Sequence, residues 1–146
     1  MSQTTHGTEF QREFEARWDR NFGKRGWCIR FTDSADLYGR NNNRVVNTDT
    51  APADFLAGQH GWIGLVECKA TTGNFTRSMI RRPQIIAATR SVAAGTPYYF
   101  AVKNMNTKKV YFVPASYVMN QGNKLDWSSL SRFQWLDDQT CPNLTT

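Results

Sequence analysis

Cysteine is scarce in this chain: its 146 residues include three, Cys28, Cys68 and Cys141, odd in number and widely separated. That spacing makes neither a zinc cluster nor an obvious disulfide frame, so a reducing cytoplasm is the expected location. Long apolar runs are missing too, which argues against a membrane span, and the amino terminus lacks the apolar core of a signal peptide. Negative charge is absent from a long stretch. Between Lys69 and Lys124 stand nine cations (Lys69, Arg77, Arg81, Arg82, Arg90, Lys103, Lys108, Lys109 and Lys124) and no Asp or Glu. With a net charge of +6, such a block suits a polyanion. No segment reads as a basic amphipathic helix, so nucleic acid is the better candidate than an anionic membrane.

What is present is aromatic mass: five Trp, five Tyr and nine Phe, enough for a real core in one domain spanning 1–146. Met1 to His6 and the extreme carboxyl end read as flexible. Phe10, Phe14, Trp18 and Phe22 recur every fourth residue, predicting a helix from Thr8 that ends at Gly23. Trp27 to Phe31 reads as a short strand. Thr32 to Ala51 is a polar connection of the kind that is functional or disordered. A second helix is expected from Pro83 to Ala94, with Gly95 past its end and Ile85, Ala88, Thr89 and Val92 facing the core. Tyr98 to Lys103 and Lys108 to Val113 read as strands, and Ala115 to Met119 as a helical turn. The tail, with Trp127, Leu130, Phe133 and Trp135, has mass to pack on the core or on a partner subunit, as helix or strand.

The densest chemistry lies between Asp54 and Lys69. Trp62 to Lys69 alternates like a strand, placing Ile63, Leu65, Glu67 and Lys69 on one side. Glu67 and Lys69 are then neighbours roughly 6–7 Å apart along the strand. A two-residue turn at His60-Gly61 pairs Ala57 with Gly64 and Asp54 with Glu67; glycine, and to a lesser degree histidine, tolerates the positive φ such turns use. Two carboxylates facing each other repel unless something lies between them. A divalent cation resolves that repulsion. The plainer alternative is a solvated surface pair worth under ~1 kcal/mol, but Glu67 ends an apolar run, Trp62 to Val66, where a charge needs a partner or a task.

Pro52-Ala53-Asp54 followed by Glu67-Cys68-Lys69 resembles the PD-(D/E)XK nuclease signature, with one residue between Pro and Asp. Ala53-Asp54-Phe55, Leu65 through Thr71, Pro83-Gln84 and Pro97 through Val102 are similar to RecU-type Holliday junction resolvases and their phage-encoded relatives, over about Gly7 to Pro114. The resemblance implies an α/β restriction-endonuclease-like core, a central mixed sheet of about four or five strands flanked by helices. It implies a metal-dependent DNA endonuclease acting on four-way junctions as a homodimer. Mg²⁺, or Mn²⁺, is the expected cofactor, held by the Asp54 and Glu67 carboxylates and the Cys68 backbone carbonyl. Lys69 is expected to orient the attacking water or accept its proton. Gln84 is expected beside the site, bonding a phosphate or water. On the first helix, where related nucleases often carry an acid, this chain has Gln11, expected to contribute to the site by orienting a metal-bound water through its amide, with Glu9 and Glu13 close by. Arg40, Arg44, Arg77, Arg81 and Arg82 are candidate phosphate contacts. A duplex endonuclease of restriction or repair type and a noncatalytic nucleic-acid-binding module are the alternatives.

Overall fold

A computed structural model describes residues 3–31, 51–120 and 125–136 of the chain. The expectations for Arg40, Arg44, Cys141 and the connection over 32–50 lie outside the described residues, as do those for the two ends beyond them. The aromatic stripe forms helix α1, Gln3–Phe22, which begins earlier than Thr8; residues 3–6 are helical rather than loose. Nothing before Thr8 breaks the pattern, since Gly7 is tolerated inside a helix at about 1 kcal/mol relative to alanine. Gly23 ends α1 at φ 51 and opens a short 3-10 turn.

Five strands follow in spatial order: β1 (Gly26–Arg30), β2 (Phe55–Gln59), β3 (Trp62–Thr71), β4 (Tyr98–Asn104) and β5 (Val110–Pro114). All neighbours are antiparallel except β3 and β4, which run parallel. The fold is therefore α/β with a mixed sheet, in the restriction-endonuclease-like arrangement. The β2–β3 register pairs Ala57 with Gly64 and Phe55 with Val66, as a turn at His60-Gly61 requires. Gly61 takes the left-handed backbone at φ 75; His60, contrary to expectation, does not, so the glycine alone supplies the turn's freedom.

The parallel β3–β4 pair needs a crossover. It is made by a 3-10 turn at Arg77–Met79 and helix α2, Arg82–Ala93, closed by Gly95 at φ 77. The core face of α2 differs from expectation: Gln84 and Ala88 are buried, while Thr89 and Val92 are exposed. The helix is rolled so that Gln84 points inward at the sheet, where polar groups wait for it. Helix α3, Ala115–Asn120, follows Pro114 directly.

Alternation along the strands splits the core into two layers. Phe10, Phe14, Trp18 and Phe22 cover Phe55, Val66, Cys68, Ala70, Tyr99 and Phe112 on one face. On the other, α2, α3 and the tail cover Tyr98, Phe100, Val102 and Val113. The tail is neither helix nor strand: Leu130, Phe133 and Trp135 are buried around a 3-10 turn, and Gln134 bridges Tyr111. Arg17 donates to the Trp135 carbonyl and lies over its indole, tying the tail to α1. Among the described residues, no helix is long and apolar enough to cross a membrane.

Gly26 lies where β1 leaves the turn after α1. A Cβ there would stand 2.5 Å from Phe22 Cβ and 2.9 Å from the Gly58 carbonyl oxygen, while one on Gly7 meets nothing within 4 Å. Gly26→Ala is expected to destabilise by about 1–3 kcal/mol through overpacking, and Gly7→Ala to stabilise by up to ~1 kcal/mol. Denaturant melts of the two variants against the parent check both signs.

Candidate active site

Asp54 stands one residue before the first ladder pair of β2, so its side chain falls on the same side as Glu67, beyond the end of the hairpin. Its backbone carbonyl accepts from Phe31 N at 2.9 Å, continuing the β1–β2 pairing. Its Oδ2 accepts from Cys68 N at 2.9 Å. In an extended strand the amide and carbonyl of one residue leave on the same edge. The Cys68 carbonyl therefore projects to the Asp54 side, while its thiol is buried in the α1 layer.

Glu67 is buried, at 4% exposure, and its carboxyl lies beside that of Asp54. Burial, then the Asp54 charge, pushes the Glu67 carboxyl up to about 8. Burial raises Asp54 as well, against the Cys68 amide that favours its ionised form. Burial and mutual repulsion therefore disfavour ionising both carboxyls at once. Lys69 Nζ lies 3.4 Å from Glu67 Oε2, with its side chain 15% exposed.

Gln84 locks this set together. Its Nε2 donates to Glu67 Oε2 at 2.8 Å, and its Oε1 accepts from Lys69 Nζ at 2.9 Å and from Arg81 N at 3.0 Å. The amide oxygen is thus occupied, and Gln84 orients Glu67 and Lys69. One N–H of its amide is left for an incoming anion. An ammonium has three donors; Lys69 spends them toward Gln84 and Glu67 and keeps one for a water or phosphate oxygen.

The structure does not bring every expected residue here. Gln11 is half-buried on α1, whose aromatic stripe covers the opposite face of the sheet, and it is absent from the hydrogen bonds joining Asp54, Glu67, Lys69 and Gln84. Glu13 is held by Lys103 Nζ at 2.8 and 2.9 Å, and Glu9 is exposed. Arg77, Arg81 and Arg82 are exposed along the approach to α2, whose first turn carries Gln84.

Arg30 is a neighbour that the sequence reading passed over. It ends β1 opposite Phe55, lies over that ring at 5.4 Å and pairs with Glu15 at 3.5 Å, and its charge favours ionised Asp54. The signal was available in the register, since a strand ending beside Asp54 brings its last cation there.

The donor set fits a hard divalent cation. A buried and a half-buried carboxyl that repel when both are ionised, with a carbonyl at their side, offer only oxygen, and a cation between them satisfies both. Among the described residues no group of three His, Cys, Asp or Glu gathers to hold a metal, and beside the two carboxyls stands the Cys68 backbone carbonyl. Magnesium keeps several waters in such sites.

Solved structures share this fold. The chain is similar to Hjc, a Holliday junction resolvase from the archaeal hyperthermophile Archaeoglobus fulgidus: TM-score 0.52, 18% identity, covering 84% of this chain and 89% of that one. At that identity the likeness is one of fold. No family model and no curated protein matches the sequence.

The raised carboxyls set a pH dependence of stability. Unfolded carboxyls titrate near ~4, so the folded state binds protons more tightly. Its extra stability is full below that pH and is lost as pH rises, Glu67's share through about 8. Thermal melts in EDTA should therefore fall between acid and mildly alkaline buffer, and Glu67→Gln should flatten that fall. A parent protein whose melting temperature climbs over the same interval contradicts the buried pair.

Proposed function

We propose that the chain is a metal-dependent, structure-selective DNA endonuclease that cuts phosphodiesters at four-way junctions. The observation that carries this reading is the side-by-side pair of half-buried Asp54 and buried Glu67, with Lys69 Nζ 3.4 Å from Glu67 Oε2. A nuclease fold shared with an archaeal Holliday junction resolvase supports it, and so does the acid-free run of cations from Lys69 to Lys124.

In this reading Asp54, Glu67 and the Cys68 carbonyl hold Mg²⁺, or Mn²⁺ in its place. Bound there, the cation would acidify the attacking water and offset charge growing on the phosphate. Lys69 Nζ holds the attacking water with its remaining donor. Gln84 keeps Lys69 and Glu67 in register and offers its second N–H to a phosphate oxygen. Arg77, Arg81 and Arg82 grip the backbone on the α2 side, where cations at a helix's positive end are otherwise misplaced and a docked anion offsets them. Arg30 steadies Asp54 from the β1 side.

Symmetric nicking of two strands calls for two sites, and the reading includes a second copy of the chain. In support, Trp27 and Ile29 on β1 and Ile63 on β3, the two strands that flank β2, remain 43, 57 and 51% exposed, and Trp27 and Ile63 stand level on either side of Gly58. DNA would gain little from such a strip.

Incubating labelled junction, linear duplex and single strand with Mg²⁺ or EDTA separates the readings. The parent should cut the junction with Mg²⁺ only. Asp54→Asn, Glu67→Gln and Lys69→Met should each lose at least about 100-fold in rate while still binding. Preferential cutting of duplex assigns the restriction or repair type, and binding without any cutting assigns a noncatalytic module. A cutting complex that light scattering measures as one copy per junction contradicts the paired arrangement.

Arg81→Ala with Arg82→Ala should weaken junction binding by roughly tenfold and lower the slope of log affinity against log salt by about 2. An unchanged slope contradicts the phosphate role of that turn.

A further inference from the structure

Asp54 lies outside the β2 ladder, so strand pairing alone does not fix its carboxylate. The residues before it enter the site from the connection over 32–50. Pro52 has no N–H, and its carbonyl is its one backbone hydrogen-bonding group. That carbonyl accepts from Tyr98 Oη at 2.6 Å. Tyr98 is 2% exposed on β4, next to Leu65 in the parallel ladder, and shares a core cluster with Ala53.

We infer that Tyr98 is a positioning residue for Asp54: its hydroxyl pins the Pro52 carbonyl and thereby holds the Asp54 carboxylate against Glu67 and the Cys68 amide. The restraint comes from β4, a strand that reaches the site only through the crossover helix. It couples arrival of β4 beside β3 to completion of the cation cradle. Burial, then the Glu67 and Asp54 carboxylates, keeps the phenol above its ordinary range, so it stays a donor. The ring fills the core and the hydroxyl aligns the site, two roles that Tyr98→Phe separates because it removes the oxygen alone.

The inference rests on reading Asp54 as a cation ligand, and the experiment keeps the two apart. Ca²⁺ titrations of the parent and Tyr98→Phe, followed by thermal shift without DNA, read cation affinity. The half-saturating concentration should rise about tenfold in Tyr98→Phe, as for loss of an outer-shell partner. It should stay put in Tyr117→Phe, a control whose hydroxyl bonds Ser129 in the tail. In an Asp54→Asn background Tyr98→Phe should add nothing further. Junction cleavage by Tyr98→Phe should lose kcat with KM unchanged. A crystal structure of Tyr98→Phe should show the Asp54 carboxylate moved off Cys68 N. Parent-like Ca²⁺ affinity and an intact Asp54–Cys68 bond in Tyr98→Phe overturn the inference. A parent that binds no cation and cuts nothing removes the nuclease reading instead, while the position of Asp54 in the variant crystal still decides the role of Tyr98.

Discussion

Two carboxyl groups held side by side out of water are the constraint from which the rest of this structure follows. Burying a charge is costly unless it is paired, and burying two like charges together is costlier. The fold meets that cost locally. The Cys68 amide faces Asp54, and the Gln84 amide and Lys69 ammonium face Glu67. In the proposed reading each of these groups stands in for a cation, and together they keep the site shaped for one.

The sheet explains why the cradle sits where it does. A tight hairpin brings the start of β2 alongside the middle of β3, and β1 ends at the same level with Arg30. The parallel β3–β4 step forces a crossover, and the first turn of that crossover helix delivers Gln84. The site thus lies over the middle of the parallel pair, Glu67 level with Phe100 and Lys69 with Val102, on the face that α2 covers. Aromatic packing on both faces, Phe14 and Trp18 on one and Tyr98 and Phe100 on the other, makes those strands rigid enough to hold a charge pair.

Much of this was legible in the sequence because it is local. Gly61 fixed the turn, the turn fixed the register, and the register placed Asp54 opposite Glu67 with Lys69 beside it. The aromatic spacing of α1 was equally plain. What escaped is tertiary. The roll of α2, which exposes Thr89 and Val92, is set by Gln84 reaching polar groups 15 and 17 residues away in the chain. The Tyr98–Pro52 bond spans 46 residues and has no periodic signature. Gln11 satisfied a sequence analogy, yet α1 turns its aromatic face to the opposite side of the sheet. Glu13 was consumed by Lys103, a residue whose side of β4 depends on strand pairing.

The central claim, that residues 54 and 67 converge on one ion, is tested most directly by anomalous diffraction from crystals soaked in Mn²⁺. The account predicts a single strong peak bridging the Asp54 and Glu67 carboxylates within reach of the Cys68 carbonyl, and its loss in Asp54→Asn. Ordered carboxylates with no peak between them, or a peak elsewhere that survives Asp54→Asn, would contradict it.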